Sequence, residues 1–163
     1  MADVLKYGWA YGGKQGQEMK CAKSQYFNRL GGALVTASGA TGVVKLTTAS
    51  TDNVIGWAEV PRAAVPGIVN YWISSTTVGK DKVHVITDPS AVFCMPADES
   101  VGSVTASLVG RFICASLTGA TTTAIQYAMA RETTSAGNQQ LFVVGVDTVQ
   151  RAFYVRVAPP GGH

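Results

Sequence analysis

Short runs of alternating apolar and polar residues, separated by glycine- and threonine-rich turns, dominate this sequence and limit it to an all-β fold. Runs such as "ALVTAS", "KVHVITD" and "AFYVRV" send side chains to two faces with a period of two, as strands do. No run is followed by the long apolar stripe, at spacings of three and four, that marks an amphipathic helix. The sequence therefore predicts a sandwich or barrel of eight to ten short antiparallel strands, with few short helices.

The turn-like patches predict which runs pair as hairpins. "SGATG" joins two valine-rich runs, "VGKD" joins "NYWISSTT" to "KVHVITD", "TGATT" separates "SVTASLVGRFICASL" from "TAIQYAMARET", and "DTVQ" joins the last two runs. Gly56, in "NVIGWAEV", removes a side chain where a strand must bend or another backbone must approach, and Trp57 can fill the volume nearby. We interpret this stretch as part of the framework, because no polar groups converge on it as a ligand pocket requires.

The chain of 163 residues has the length of one domain with its own core. We predict an N-terminal arm over residues 1–16, a β domain over 17–158 and a C-terminal tail over 159–163. The β domain has two β-rich halves, with a boundary near residue 75.

The first segment of the chain is rich in aromatic residues and carries the excess of positive charge. Residues 1–30 hold five basic and two acidic side chains, which accounts for the whole net charge of +3. Tyr7, Trp9 and Tyr11 alternate with glycines, between Lys6 and Lys14. Tyrosine and tryptophan anchor protein interfaces, and a basic end favours an acidic partner. Two interpretations remain open: these residues form a docking arm, or they form an aromatic edge strand of the domain.

Candidates for chemistry are few, and we expect neither an enzyme nor a cofactor or metal site. His84, Asp88 and Ser90 are close in sequence, but sequence proximity alone does not make a catalytic triad. "GGKQG" lacks the spacing of a nucleotide loop. The three cysteines, Cys21, Cys94 and Cys114, lack the paired close spacing of a zinc site, and we interpret them as buried, reduced thiols.

Composition argues against several partners. A net charge of +3 without a basic helix or stacking-sheet signature does not favour nucleic acid, and no apolar run reaches the 18 residues of a membrane-spanning helix. The start of the chain lacks the pattern of a signal peptide. Charged residues make up only 14% of the chain, below the roughly 25% of ordinary domains. We therefore expect much of the surface to face another protein.

The order of features resembles that of tailed-phage capsid decoration (cement) proteins. The resemblance covers residues 17–117 and is carried by "LGGALVTASGATGVVKLTTAS", "TDNVIGWAEV", "KVHVITDPSAVFCMPA" and "TASLVGRFICASL". It implies a non-enzymatic virion protein that sits on the outer surface of the capsid, as a trimer or smaller assembly, and spans junctions between major capsid subunits. The chain is longer than the smallest members of that family.

The resemblance also implies contact through an ordered N-terminal arm. We therefore take Lys6, Tyr7, Trp9, Tyr11 and Lys14 as the capsid-contact candidates, and we expect deletion of residues 1–16 to leave a folded protein that does not bind shells. The alternative is a phage tail or adhesin β module that binds a receptor or glycan, for which Trp72 near Asp81 is the candidate aromatic.

Overall fold

The computed structural model describes residues 8–28, 33–39, 41–47, 52–59, 71–97, 101–117, 128–132 and 140–158. Thirteen strands and a single turn of 3-10 helix, Ala106–Leu108, lie within these ranges. The strands are β1 (Gly8–Tyr11), β2 (Gly16–Lys20), β3 (Tyr26–Asn28), β4 (Ala33–Ser38), β5 (Val43–Leu46), β6 (Val54–Glu59), β7 (Tyr71–Ile73), β8 (Lys82–Ile86), β9 (Val92–Pro96), β10 (Phe112–Leu117), β11 (Ala128–Glu132), β12 (Leu141–Asp147) and β13 (Ala152–Val157).

The strands form three antiparallel sheets, which confirms the all-β prediction. A six-stranded sheet has the order β1-β9-β13-β12-β10-β11, a five-stranded sheet the order β2-β8-β6-β4-β5, and β3 pairs with β7. The five-stranded sheet is built from strands within residues 16–86, and the six-stranded sheet from strands within residues 92–157 plus β1. The first described strand therefore pairs in the sheet formed by the later part of the chain.

The five-stranded sheet curls until its two edges meet. Cys21, directly after β2, bridges Val44 of β5 in parallel, and the Ala22 amide donates to the Val44 carbonyl oxygen at 2.8 Å. The curl encloses a core, to which β3 and β7 add an aromatic pair, Phe27 and Trp72, with ring centroids 5.5 Å apart. Its buried members are Cys21, Phe27, Val35, Val44, Leu46, Ala58, Trp72, Val83 and Val85.

A second, larger core joins the two large sheets. Trp57 of β6 stacks on Phe93 of β9 with ring centroids 5.4 Å apart and planes 14° from parallel. Gln140 also links the halves, because its buried amide accepts from the Ala115 backbone at 2.8 Å and donates to the Asp52 carbonyl at 2.6 Å. Buried polar groups are costly unless they are hydrogen-bonded, so these two bonds help hold the sheets in one arrangement.

Gly56 has the structural role that the sequence predicted. The register of β4 against β6 shifts between Val35 and Thr36, which face Gly56 and Val54, and this is a β-bulge. A Cβ built on Gly56 would lie 2.3 Å from the Ile86 carbonyl oxygen on the neighbouring strand. The glycine therefore permits both the bend and the close approach of β8.

Three of the four hairpin predictions are confirmed. β4 pairs with β5, β10 with β11, and β12 with β13, all antiparallel. In the last of these, Asp147 closes the turn by accepting hydrogen bonds from the amides of Val149 and Gln150 at 3.0 and 2.9 Å.

Two local predictions are wrong. β7 does not pair with β8: it pairs with β3, while β8 lies between β2 and β6. The reason is that the residues after β7 bond to the chain near Gln25, where Ser74 accepts the Gln25 amide at 2.8 Å and donates to the Ala22 carbonyl at 2.7 Å. The run from residue 103 is also not one strand, because it contains the 3-10 turn and becomes β10 only at Phe112.

Candidate interaction surface

The aromatic first segment is an edge strand in the structure. β1 pairs only with β9 among the described strands and ends the six-stranded sheet. Residues 8–11 therefore form an aromatic edge strand of the domain, which is the second of the two interpretations given above. Trp9 and Tyr11 remain 38% and 51% exposed although their backbone is paired. Lys6 and Tyr7 lie outside the described residues. The edge thus presents two large aromatic side chains from a fixed backbone.

The glycine-rich connection from β1 to β2 is docked on the turn at residues 88–90. The Gly13 amide donates to Ser90 Oγ at 3.1 Å, and the Gln15 amide donates to Asp88 Oδ2 at 3.3 Å. The Gln15 carbonyl oxygen in turn accepts the amides of Thr87 and Asp88 at 3.1 and 3.0 Å. We call this set of contacts the 88–90 latch. It is what orders a segment that its glycine content alone would leave loose.

The same contacts explain why positions 12 and 13 are glycines. A Cβ on Gly12 would lie 2.2 Å from the Ser90 carbonyl oxygen, and one on Gly13 would lie 2.0 Å from Asp88 Oδ2. Gly12 also has a φ of +86°, which L-residues rarely adopt. The sequence "GGKQG" therefore serves close backbone packing, and this role was not predicted from its composition.

Lys14 connects the aromatic edge to the five-stranded sheet. Its Nζ lies 3.1 Å from Glu59 Oε1 and 5.0 Å from the centroid of the Trp9 ring, while Trp9 Nε1 donates to the Gly13 carbonyl oxygen at 3.1 Å. Both partners of the ion pair are more than a third exposed, so its net contribution to stability is small. Its effect is to orient the indole. Three of the five candidate residues, Trp9, Tyr11 and Lys14, are thus brought to one edge.

Tyr11 lies near a second aromatic residue on the far side of β9. Its ring centroid lies 6.3 Å from that of Tyr154 in β13, with a tilt of 40°. Burial raises the pKa of the Tyr154 hydroxyl above its usual value, so this phenol stays neutral at ordinary pH. Sequence spacing could not have found this pair, because 143 positions separate its members.

The residues of the hypothetical triad have separate positions and partners. His84 lies in β8 directly opposite Glu18 of β2 and Glu59 of β6. Asp88 Oδ1 accepts hydrogen bonds from the amide and hydroxyl of Ser90 at 2.9 and 2.6 Å, within the 88–90 latch. Asp88 and Ser90 therefore bind the backbone of the chain itself.

The cysteines are free and buried, as predicted. Burial raises the pKa of the Cys21 and Cys94 thiols to about 11, which keeps both in the unreactive thiol form. Within the described ranges, no three His, Cys, Asp or Glu side chains are grouped as a metal site would need. Among the same residues, no helix has the length and apolar character required to cross a membrane.

The aromatic suggested for glycan binding is in the wrong place. Trp72 is only 8% exposed, because it packs on Phe27 in the core of the curled sheet. The nearby Asp81 accepts the Ser75 amide at 2.6 Å and so closes its own loop. Among the described residues, the exposed tryptophan is Trp9, whose ring lies next to Lys14, the ion-pair partner of Glu59.

Comparison with known proteins adds no relative, since no family model, no curated protein and no solved structure matches the chain.

The 88–90 latch has a predictable pH dependence. Hydrogen bonds from the Ser90 side chain and amide, and from Gln15, hold the pKa of Asp88 below its ordinary value of 3.8. Because the folded pKa is the lower one, the latch contributes stability above pH 3.8 and loses it as the pH falls through the folded value. We expect Asp88→Ala to speed amide hydrogen exchange at Gly13 and Gln15 by up to about ten-fold at neutral pH.

The controls for this prediction lie in the same protein. Exchange at Val143 and Phe153, in β12 and β13, should not change in the variant. Acidification of the wild-type protein should reduce the protection of the Gly13 and Gln15 amides against hydrogen exchange. The Asp88→Asn variant should not show this loss of protection at low pH. Unchanged exchange at Gly13 and Gln15 in Asp88→Ala would show that the latch does not hold the segment.

Proposed function

We propose that this protein is a structural virion protein of the capsid decoration class, which binds the outside of a phage head and clamps neighbouring major capsid subunits. The observation that carries the proposal is the aromatic edge: Trp9 and Tyr11 are exposed on a strand whose backbone is already ordered. Such side chains can be buried against a partner with little further loss of conformational freedom. The sequence resemblance to decoration proteins supports the same class.

The position of β1 at the end of its sheet suggests how a partner attaches. An edge strand offers unpaired backbone amides and carbonyls to a second strand, and aromatic side chains beside it supply the apolar contact. We further propose that the protein acts as a trimer. Several copies of a moderate contact then act together, because each contact after the first is intramolecular. Lasting attachment to a shell needs no large single interface.

The test is co-sedimentation of the purified protein with empty phage heads that lack it. We expect the protein to appear in the head fraction and, at saturation, to be present at a fixed number of copies per copy of the major capsid protein. Failure to sediment with heads at micromolar concentration would reject the proposal.

A second candidate function has one specific observation in its favour. Trp9 stands exposed beside Lys14 and Glu59, and an aromatic face next to charged hydrogen-bonding groups is the arrangement expected in a glycan-binding adhesin module. A glycan array separates the two functions. Binding to a defined glycan together with no binding to heads would favour the adhesin.

A further inference from the structure

Three lysines crowd one end of the curled sheet, one row beyond Glu59, the partner of Lys14 in the ion pair. Lys20 and Lys82 are direct cross-strand partners in β2 and β8, and both are exposed. Lys80 is exposed two residues before Lys82, in the turn that precedes β8. The Lys20 side chain runs over that turn, since a Cβ on Gly79 would lie 3.4 Å from Lys20 Cδ. We call Lys20, Lys80 and Lys82 the lysine patch.

Among the described residues, no carboxylate forms an ion pair with the lysine patch, since the ion pair there is the one between Lys14 and Glu59. Asp81, which lies between two of the lysines in sequence, directs a carboxylate oxygen to the Ser75 amide. Glu18 and Glu59 lie in the next row on the same face of the sheet, where both are opposite His84. Like charges directly opposite one another destabilise a sheet, so the pairing of Lys20 with Lys82 works against folding.

We propose that the lysine patch is a docking site for an acidic, partly apolar protein surface. The inference deepens the proposed function by naming the chemistry of the partner's surface, and it rests on that function. Val78 decides between classes of partner: it is 47% exposed in the same turn, two residues before Lys80. Lysines next to an exposed aliphatic side chain are complementary to a partner surface on which carboxylates surround an apolar side chain. A single-stranded nucleic acid would instead favour stacking aromatics, which the lysine patch and Val78 do not supply.

One substitution separates this proposal from a structural role for the lysines. Lys82→Glu replaces a repulsive cross-strand pair with an attractive one, so it should raise the melting temperature by about 1–3 °C. The same change should weaken binding to an acidic partner by about five-fold or more. A residue that serves only the fold would not show higher stability together with weaker binding.

The control is Arg111→Glu, which changes the net charge equally from an exposed position before β10. The probes are a labelled ten-residue peptide of alternating glutamate and leucine, a single-stranded DNA 12-mer, and empty heads. We expect Lys82→Glu to weaken binding to the peptide and to the heads, Arg111→Glu to change either by less than about two-fold, and added salt to weaken the wild-type interaction.

The outcomes distinguish the two proposals. If wild-type protein and Lys82→Glu bind heads equally, the lysine patch is not the docking site, while the proposed function stands. If neither protein binds heads, the proposed function is rejected, and so is the inference that the lysine patch docks on a capsid. Equal peptide binding by the two proteins, or tighter binding of the wild type to DNA than to peptide, would overturn the assignment of an acidic protein surface.

Discussion

Gly56→Ala should destabilise the protein by about 3 kcal/mol, which corresponds to a fall in melting temperature of about 6–12 °C for a domain of this size. The added methyl group would stand 2.3 Å from the Ile86 carbonyl oxygen and 2.9 Å from Val85 Cγ1. Neither atom can withdraw cheaply, because both belong to β8, which is paired on both sides. The strands must therefore separate at the bulge, next to Trp57 and the larger core.

Thermal unfolding and urea titration measure this effect, and Gly39→Ala is the matched control. Gly39 lies in the turn after β4, and a Cβ there would meet no atom within 4 Å. We expect the control to remain within about 0.5 kcal/mol of the wild type. A Gly56→Ala protein as stable as the control would mean that β6 and β8 do not approach as described.

Local patterns were enough to predict most of the strands. Nine of the ten strands from β4 to β13 contain β-branched or aromatic residues, which favour strands, and the exception is β11. The role of Gly56 was also predictable, because a glycine inside an apolar strand has few other uses. These features depend on residues that are adjacent in sequence.

The first 28 residues were not predictable in the same way. β1, β2 and β3 have three to five residues each and include glycine, charged or amide side chains, so no extended run of strand-forming residues marks them. They form strands because β9, β8 and β7 offer edges to pair with, at distances of about 45 to 85 positions along the chain. Propensity carries no information about such partners.

The candidate surface likewise combines features that the sequence reveals with features that depend on distant partners. The exposed aromatics and the positive charge near the start of the chain were visible in the sequence. The 88–90 latch was not, since it joins Gly13 to Ser90 and Gln15 to Asp88 across more than 70 positions. The lysine patch was missed for a similar reason: Lys20 belongs to the basic first segment, whereas Lys80 and Lys82 belong to a stretch of the chain that is neutral overall.

The position of β1 also changes the expected result of deleting residues 1–16. That deletion would remove a strand paired with β9 and the whole partner of the 88–90 latch, and it would cut into β2 at Gly16. Loss of binding in such a protein would mix damage to the fold with loss of contacts. Substitution of exposed side chains avoids this problem, because it leaves the backbone pairing intact.

Replacing Trp9 and Tyr11 together by serine should therefore abolish attachment to heads while the domain remains folded. Truncation of a central aromatic anchor at an interface costs about 2 kcal/mol or more, so the loss of two anchors corresponds to a loss of affinity on the order of 1,000-fold for each copy. In a trimer the loss is greater, because every copy carries it. Each side chain also covers part of the domain, so we expect the free energy of unfolding to fall by about 1–3 kcal/mol, which leaves the domain folded.

The matched control is Val149→Ser, which removes an apolar side chain that is 90% exposed on the turn between β12 and β13. Co-sedimentation with empty heads should be unchanged for this variant and absent for the double variant, with the melting temperatures measured alongside. If the double variant sediments like the wild type, the aromatic edge is not the contact. Attachment would then have to come from another surface, and comparison with Lys82→Glu would decide whether the lysine patch supplies it, because that variant keeps both aromatic side chains and changes only charge.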